Sequence, residues 1–135
     1  MRAQIGSRLP NVQPAKVQKP TFIADADLND KIVVGVRRRE PGVDFVGASD
    51  GGTRGLSDPE VLALSAASER VLVSSDRRTM PAHFKMFLET DQSPGVIVVS
   101  QTTEIARAID ELVAIWREGD LDALRNQIRW VRRRR

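Results

Sequence analysis

Three aspartates, Asp25, Asp58 and Asp76, stand where an apolar run gives way or where a helix opens. Asp25 follows "TFIA", Asp76 follows "VLVSS", and Asp58 sits in "SDPE" with Glu60 two residues on. Carboxylates gathered from separate segments repel, and they raise one another's pKa unless a cation lies among them. Hard oxygen donors, in a chain with no cysteine and one histidine, select Mg²⁺ or Mn²⁺ over zinc. Such a metal acidifies a bound water and polarises a phosphoryl oxygen, so the chemistry indicated is metal-assisted phosphodiester hydrolysis. Each acid also has a plainer reading. Asp58 and Glu60 would stabilise a helix N-terminus through a capping box and the helix dipole. Asp27, with Asp30 three residues on, reads as an N-cap before it reads as a ligand.

Basic residues lie close by. Arg77 and Arg78 follow Asp76 directly and could clamp a phosphate, as could Arg54 in the loop "SDGGTRGL". The alternative for all three is a solvated loop charge. His83, the sole histidine, reads as a partly exposed packing residue, with a ligand or proton carrier near Asp76 as the minority reading. Trp116 reads as core. Trp130, set among arginines, could stack on a base but reads first as packing on the body. The glycine-rich loop lacks GxxxxGK[ST], so a nucleotide P-loop is not supported.

The elements that must position these groups follow from periodicity. Residues 21–24, 43–48, 71–75 and 95–100 are short apolar, β-branched runs and predict four strands. Residues 28–39 predict a helix, and Ser57, Pro59 and Glu60 open another. A third helix begins at Pro81. A fourth, through 105–116, gathers Ile105, Ile109, Leu112, Val113 and Trp116 on one face. After Gly119 a short helix starts at Asp120, and "QIRWV" could add an edge strand. Strand–helix alternation predicts an α/β fold, a mainly parallel sheet of about four strands covered on both faces. In a parallel sheet the strand C-termini share one edge, where ligands bind. That edge would collect Asp25, Asp58, Glu60 and Asp76.

A chain of 135 residues suits a single core. Its net charge of +3 is segregated. Residues 1–20 and 125–135 are basic without an acid, leaving 11 basic and 18 acidic side chains in residues 21–124. The expected organisation is a basic flexible arm over 1–20, a domain over 21–118 and a basic extension over 119–135. The basic ends are solubilising tails or polyanion-binding arms. No apolar run reaches membrane-spanning length and no signal core precedes the domain, so a soluble cytoplasmic protein is expected.

Three segments, "FIADADLNDKIVVGVRRR", "LSDPEVLALSAASERVLVSSDRRTMPAHF" and "SPGVIVVSQ", together resemble the small PIN-like nuclease domains of the bacterial toxin–antitoxin toxin type. The resemblance spans residues 21–118. It implies a three-layer α/β/α sandwich and a Mg²⁺- or Mn²⁺-dependent ribonuclease acting on RNA, paired with a cognate antitoxin protein. Matched residue by residue, Asp25 is the first-strand acid, Asp58 the helix-opening acid and Asp76 the acid after "VLV". Glu60 would assist, and Arg77 or Arg78 would hold phosphate. Two positions depart from the pattern: Arg78 replaces a second acid common after the third strand, and Ala26 an acid after the first. A PIN-like module that binds RNA or protein without cutting is therefore the alternative. Related domains often dimerise, and the 105–116 face or the fourth strand's edge could serve a homodimer. A phospho-acceptor receiver domain also places aspartates at strand ends, but needs a lysine after a late strand. Beyond residue 20 the only lysines are Lys31 and Lys85, and neither follows a strand.

Overall fold

The central strands are buried on both faces, and helices cover both. The computed structural model describes residues 18–131. In chain order the elements are β1 (Phe22–Ala24), α1 (Asp30–Arg39), β2 (Phe45–Val46), α2 (Ala48–Gly51), α3 (Asp58–Ser68) and β3 (Val71–Ser74). Then come α4 (Met80–Phe87), β4 (Val96–Val99), α5 (Ile105–Glu118), α6 (Leu121–Leu124) and β5 (Ile128–Val131). All strand pairs are parallel, in the order β2-β1-β3-β4-β5. The sheet thus has five strands where about four were expected. The fifth is the edge strand anticipated in "QIRWV", so the domain continues past residue 118 through α6 and β5.

Side chains alternate across each strand. Phe22, Ala24, Val71, Val73, Ile97 and Val99 point to one core, completed by Val33 and Val36 of α1 and Ala108, Leu112 and Val113 of α5. Ile23, Leu72, Val96 and Val98 point to the other, closed by Val61 and Leu62 of α3 and Met80 and Phe84 of α4. This is the three-layer α/β/α sandwich expected from the unbroken apolar runs. Ile105, Ile109 and Trp116 pack against the first core, as their helical spacing requires. Trp130 lies on β5, paired with Val98, and is 40% exposed.

Close approach fixes two contacts. A Cβ at Gly35 would run into Cδ1 of Ile109, so α1 and α5 meet through a bare backbone. Gly95, at φ +122°, lies against the Leu124 carbonyl, a position closed to other residues on both counts. The basic runs at 1–17 and 132–135 lie outside the described residues. Of the N-terminal arm, Gln18 accepts the Leu121 N–H, and Lys19 holds the carbonyls of Trp116 and Arg117 while its ammonium lies 5.1 Å from the Trp116 ring centroid. No described helix is long and apolar enough to cross a membrane.

Candidate acidic site at the switch point

The chain leaves β1 toward β2 on one side and returns to β3 on the other. The crevice at the C-terminal ends of β1 and β3 is therefore the topological switch point, the usual ligand position in open α/β sheets. Asp25 directly follows β1, and its N–H extends the ladder to Val73 O at 2.9 Å. Ser75 and Asp76 follow β3. On the far side, Thr53 Oγ1 donates to Ala24 O at 2.8 Å and brings the loop leading to α3 against the same edge. Ser57 and Glu60 then form a reciprocal capping box that starts α3, leaving Asp58 at its first residue.

Four carboxylates gather here as two pairs, each bridged by one hydroxyl. Ser74 Oγ lies 3.0 Å from Asp25 Oδ2 and 3.4 Å from Asp27 Oδ1, while accepting the Asp76 N–H at 3.0 Å. Thr79 Oγ1 lies 2.8 Å from Asp58 Oδ2 and also hydrogen-bonds Asp76 Oδ2. A hydroxyl has a single proton to give, so neither pair is fully neutralised by its bridge. Asp25 is buried, and burial raises its pKa above the ordinary carboxylate value. The neighbouring charges of Asp27 and Asp58 add to the rise, against hydrogen bonds from Ala26 N–H and Ser74. Asp27 is raised too, by burial of its carboxylate and by Asp76 and Asp58, although Ser75 N–H donates to it at 3.0 Å. Burial also pushes Asp76 up. There it is outweighed by the Thr79 hydroxyl and the Thr79 and Arg78 N–H groups, each N–H at 2.9 Å, and the net shift is downward.

Asp25, Asp58 and Asp76, selected from sequence, do converge. Asp27 joins them, which corrects its reading as an N-cap: the cap of α1 is Asn29, whose side chain accepts Lys31 N–H. Glu60 is engaged elsewhere, its carboxylate accepting Ser57 N–H at 2.8 Å. Arg54 bonds Ser49 Oγ and lines neither cleft beside the acids, whereas Arg77 and Arg78 line the one at Asp27 and Asp76. His83 Nε2 lies 3.8 Å from Asp58 Oδ2, so it borders the acids through Asp58. Sequence reasoning missed Ser74 and Thr79. Their only signals were a hydroxyl ending an apolar strand and one three residues after Asp76.

The donor set is all oxygen and carries an uncompensated negative charge, which suits a hard divalent cation. As they stand, no three Asp, Glu or His side chains among the described residues converge closely enough to hold one. Asp25, Asp27, Asp58 and Asp76 are the residues that would do so by exchanging their hydroxyl bridges for it. No protein-family model, curated protein or solved structure matches the chain.

Proposed function

We propose that this chain is a PIN-like ribonuclease dependent on Mg²⁺ or Mn²⁺, the toxin component of a toxin–antitoxin pair acting on cytoplasmic RNA. One observation carries the reading: three chain segments deliver four carboxylates to the switch point, with Asp25 and Asp27 raised by burial and by their neighbours' charge. Charge of this kind weakens a fold and is kept where a cation or proton is to be handled. Asp25, Asp27, Asp58 and Asp76 would hold the metal, and Arg77 and Arg78 would orient an RNA phosphate beside it. A bound Mg²⁺ or Mn²⁺ would supply charge compensation at the phosphoryl oxygens and an acidified attacking water. Until a metal takes their place, Ser74 and Thr79 keep the carboxylates oriented. Self-association and an antitoxin partner belong to the same reading.

The test is cleavage of a labelled single-stranded RNA in Mn²⁺ or Mg²⁺, beside an EDTA control and Asp25→Asn. Metal-dependent cleavage lost in the variant is the expected result; cleavage unaffected by EDTA or by Asp25→Asn overturns the assignment. The second reading, a binding module without turnover, is favoured by the commitment of Asp76 to the turn that starts α4 and by the arginine at position 78. It predicts salt-sensitive RNA binding that EDTA leaves unchanged.

A further inference from the structure

The chain has two basic ends, and the direction of β5 decides which of them meets the acids. β5 runs parallel to β4, so its C-terminal end lies at the same edge of the sheet as the ends of β1 and β3. Val131, its last residue, is fixed there: the Val131 carbonyl accepts the Ser100 N–H at 3.2 Å. Ser100 opens the loop Ser100–Thr102, which lines one cleft together with Asp27, Ser75, Asp76, Arg77 and Arg78. The residue after Val131 is Arg132, the first of four consecutive arginines. That run is therefore tethered to a wall of the cleft at Asp27 and Asp76. The other basic end is placed oppositely. Lys19 holds the Trp116 and Arg117 carbonyls and precedes the start of β1, so residues 1–17 join the body at the far edge of the sheet.

We propose that Arg132 to Arg135 are a phosphate-binding arm that holds single-stranded RNA beside the acidic site, on phosphates neighbouring the one at Arg77 and Arg78. The proposal deepens the RNA reading above and rests on it. Two interstrand spacings, about 10 Å, separate β5 from β3. Four residues span at most about 14 Å, so the arm and the Arg77–Arg78 pair lie within reach of one short stretch of RNA. Charge gives the arm its purpose. In the cleft, Asp27 and Asp76 offset Arg77 and Arg78, and Asp25 and Asp58 add further negative charge close by. The cleft by itself is therefore a poor home for a polyanion. Guanidinium groups are always charged, and their forked donors match phosphate oxygens, so an acid-free run of arginines supplies the attraction that the cleft lacks. Trp130, 40% exposed and one residue before Val131, puts aromatic surface next to the run. Basic groups beside an exposed ring are how single-stranded nucleic acid is held without a choice of sequence.

The test compares the wild type with the chain ending at Val131 and with a full-length variant in which Arg132 to Arg135 are all replaced by glutamine. Both keep every described element, and melting curves check that they fold. Anisotropy of a short labelled single-stranded RNA is followed over a salt series, with Ca²⁺ in place of the activating metals. In both variants the logarithmic slope of affinity against salt is expected to be shallower by about two to three, roughly 0.7 for each arginine placed on a phosphate. Position is read separately. The chain has two tryptophans, so Trp116→Phe leaves Trp130 as the sole fluorescent reporter at β5. RNA is expected to quench it, and Arg77→Ala with Arg78→Ala should shift that quench to higher RNA concentration, because one strand touches both places. Unchanged salt slopes, or a quench indifferent to Arg77 and Arg78, overturn the arm alone. Tighter binding by the two variants overturns it as well, since the arginines would then be lying on the carboxylates in place of RNA. No binding of any RNA by the wild type overturns the RNA reading beneath it.

Discussion

Asp25 and Asp27 share one serine hydroxyl, and both are raised by burial and by neighbouring carboxylates. The sign of the consequence is fixed by linkage. A carboxyl raised in the folded state binds its proton more tightly there than when unfolded. Its stabilising contribution is full below the ordinary value of 3.8 and is lost as pH rises through the folded value. Asp27→Asn keeps an acceptor for Ser75 N–H and removes the charge. In EDTA it is expected to melt above the wild type at pH 7, with the gap closing toward pH 4; a gain of about 1 kcal/mol corresponds to roughly 4 °C. Asp76 runs the other way. Its lowered value contributes stability above 3.8 that is lost as pH falls through the folded value, so Asp76→Asn should melt below the wild type at pH 7. At this scale the sequence was partly legible. Asp25 and Asp76 each end an apolar run, and that alone places them at a strand's end. Asp27 was misjudged because its three-residue spacing to Asp30 imitates a cap, while Asn29, extended at ψ 121°, makes the bond. The Ser74 and Thr79 bridges depend on distances across segments, which spacing along the chain does not encode.

The capping box that starts α3 separates two acids that look equivalent in the sequence. Glu60 closes the box on Ser57, and Asp58, its near neighbour, faces Thr79 and His83. Glu60→Gln preserves an acceptor for Ser57 N–H, so RNA cleavage by this variant should match the wild type, whereas Asp58→Asn should lose it. Ser57→Ala removes the cap and should cost about 1 kcal/mol in a denaturant melt. The α1–α5 contact offers a second check on packing. Gly35→Val puts a branched side chain where Ile109 already lies and should destabilise by about 1–3 kcal/mol. The long helices and strands β1, β3 and β4 were legible from hydrophobic period. Two elements were less so: β2 shrinks to Phe45–Val46, and the expected loop after it folds into α2. Four-residue elements carry too few positions to show a period.

Strand–helix alternation announced a parallel sheet, but strand order is set by which neighbours pair, and that information is tertiary. The order observed places the switch point between β1 and β3, and this is what turns scattered aspartates into one rim. The same order serves unrelated functions, so the fold alone does not select a nuclease over a binding module. Charge does more. Residues 21–124 carry 18 acidic against 11 basic side chains, and the rim adds local repulsion to that field. A polyanion can approach such a rim only if the charge there is compensated, so metal binding and RNA binding should be coupled. Titration with Mn²⁺ should raise the melting temperature of the wild type, because a ligand that binds only the folded state stabilises it by mass action. At a hundred times the dissociation constant that gain is about 2.7 kcal/mol, several degrees for a domain of this size. Asp25→Asn and Asp27→Asn should begin higher in EDTA and gain less with metal, so the curves converge. Parallel rises in all three proteins would mean that Mn²⁺ binds elsewhere, and the acidic rim would then be a liability of the fold rather than its working site.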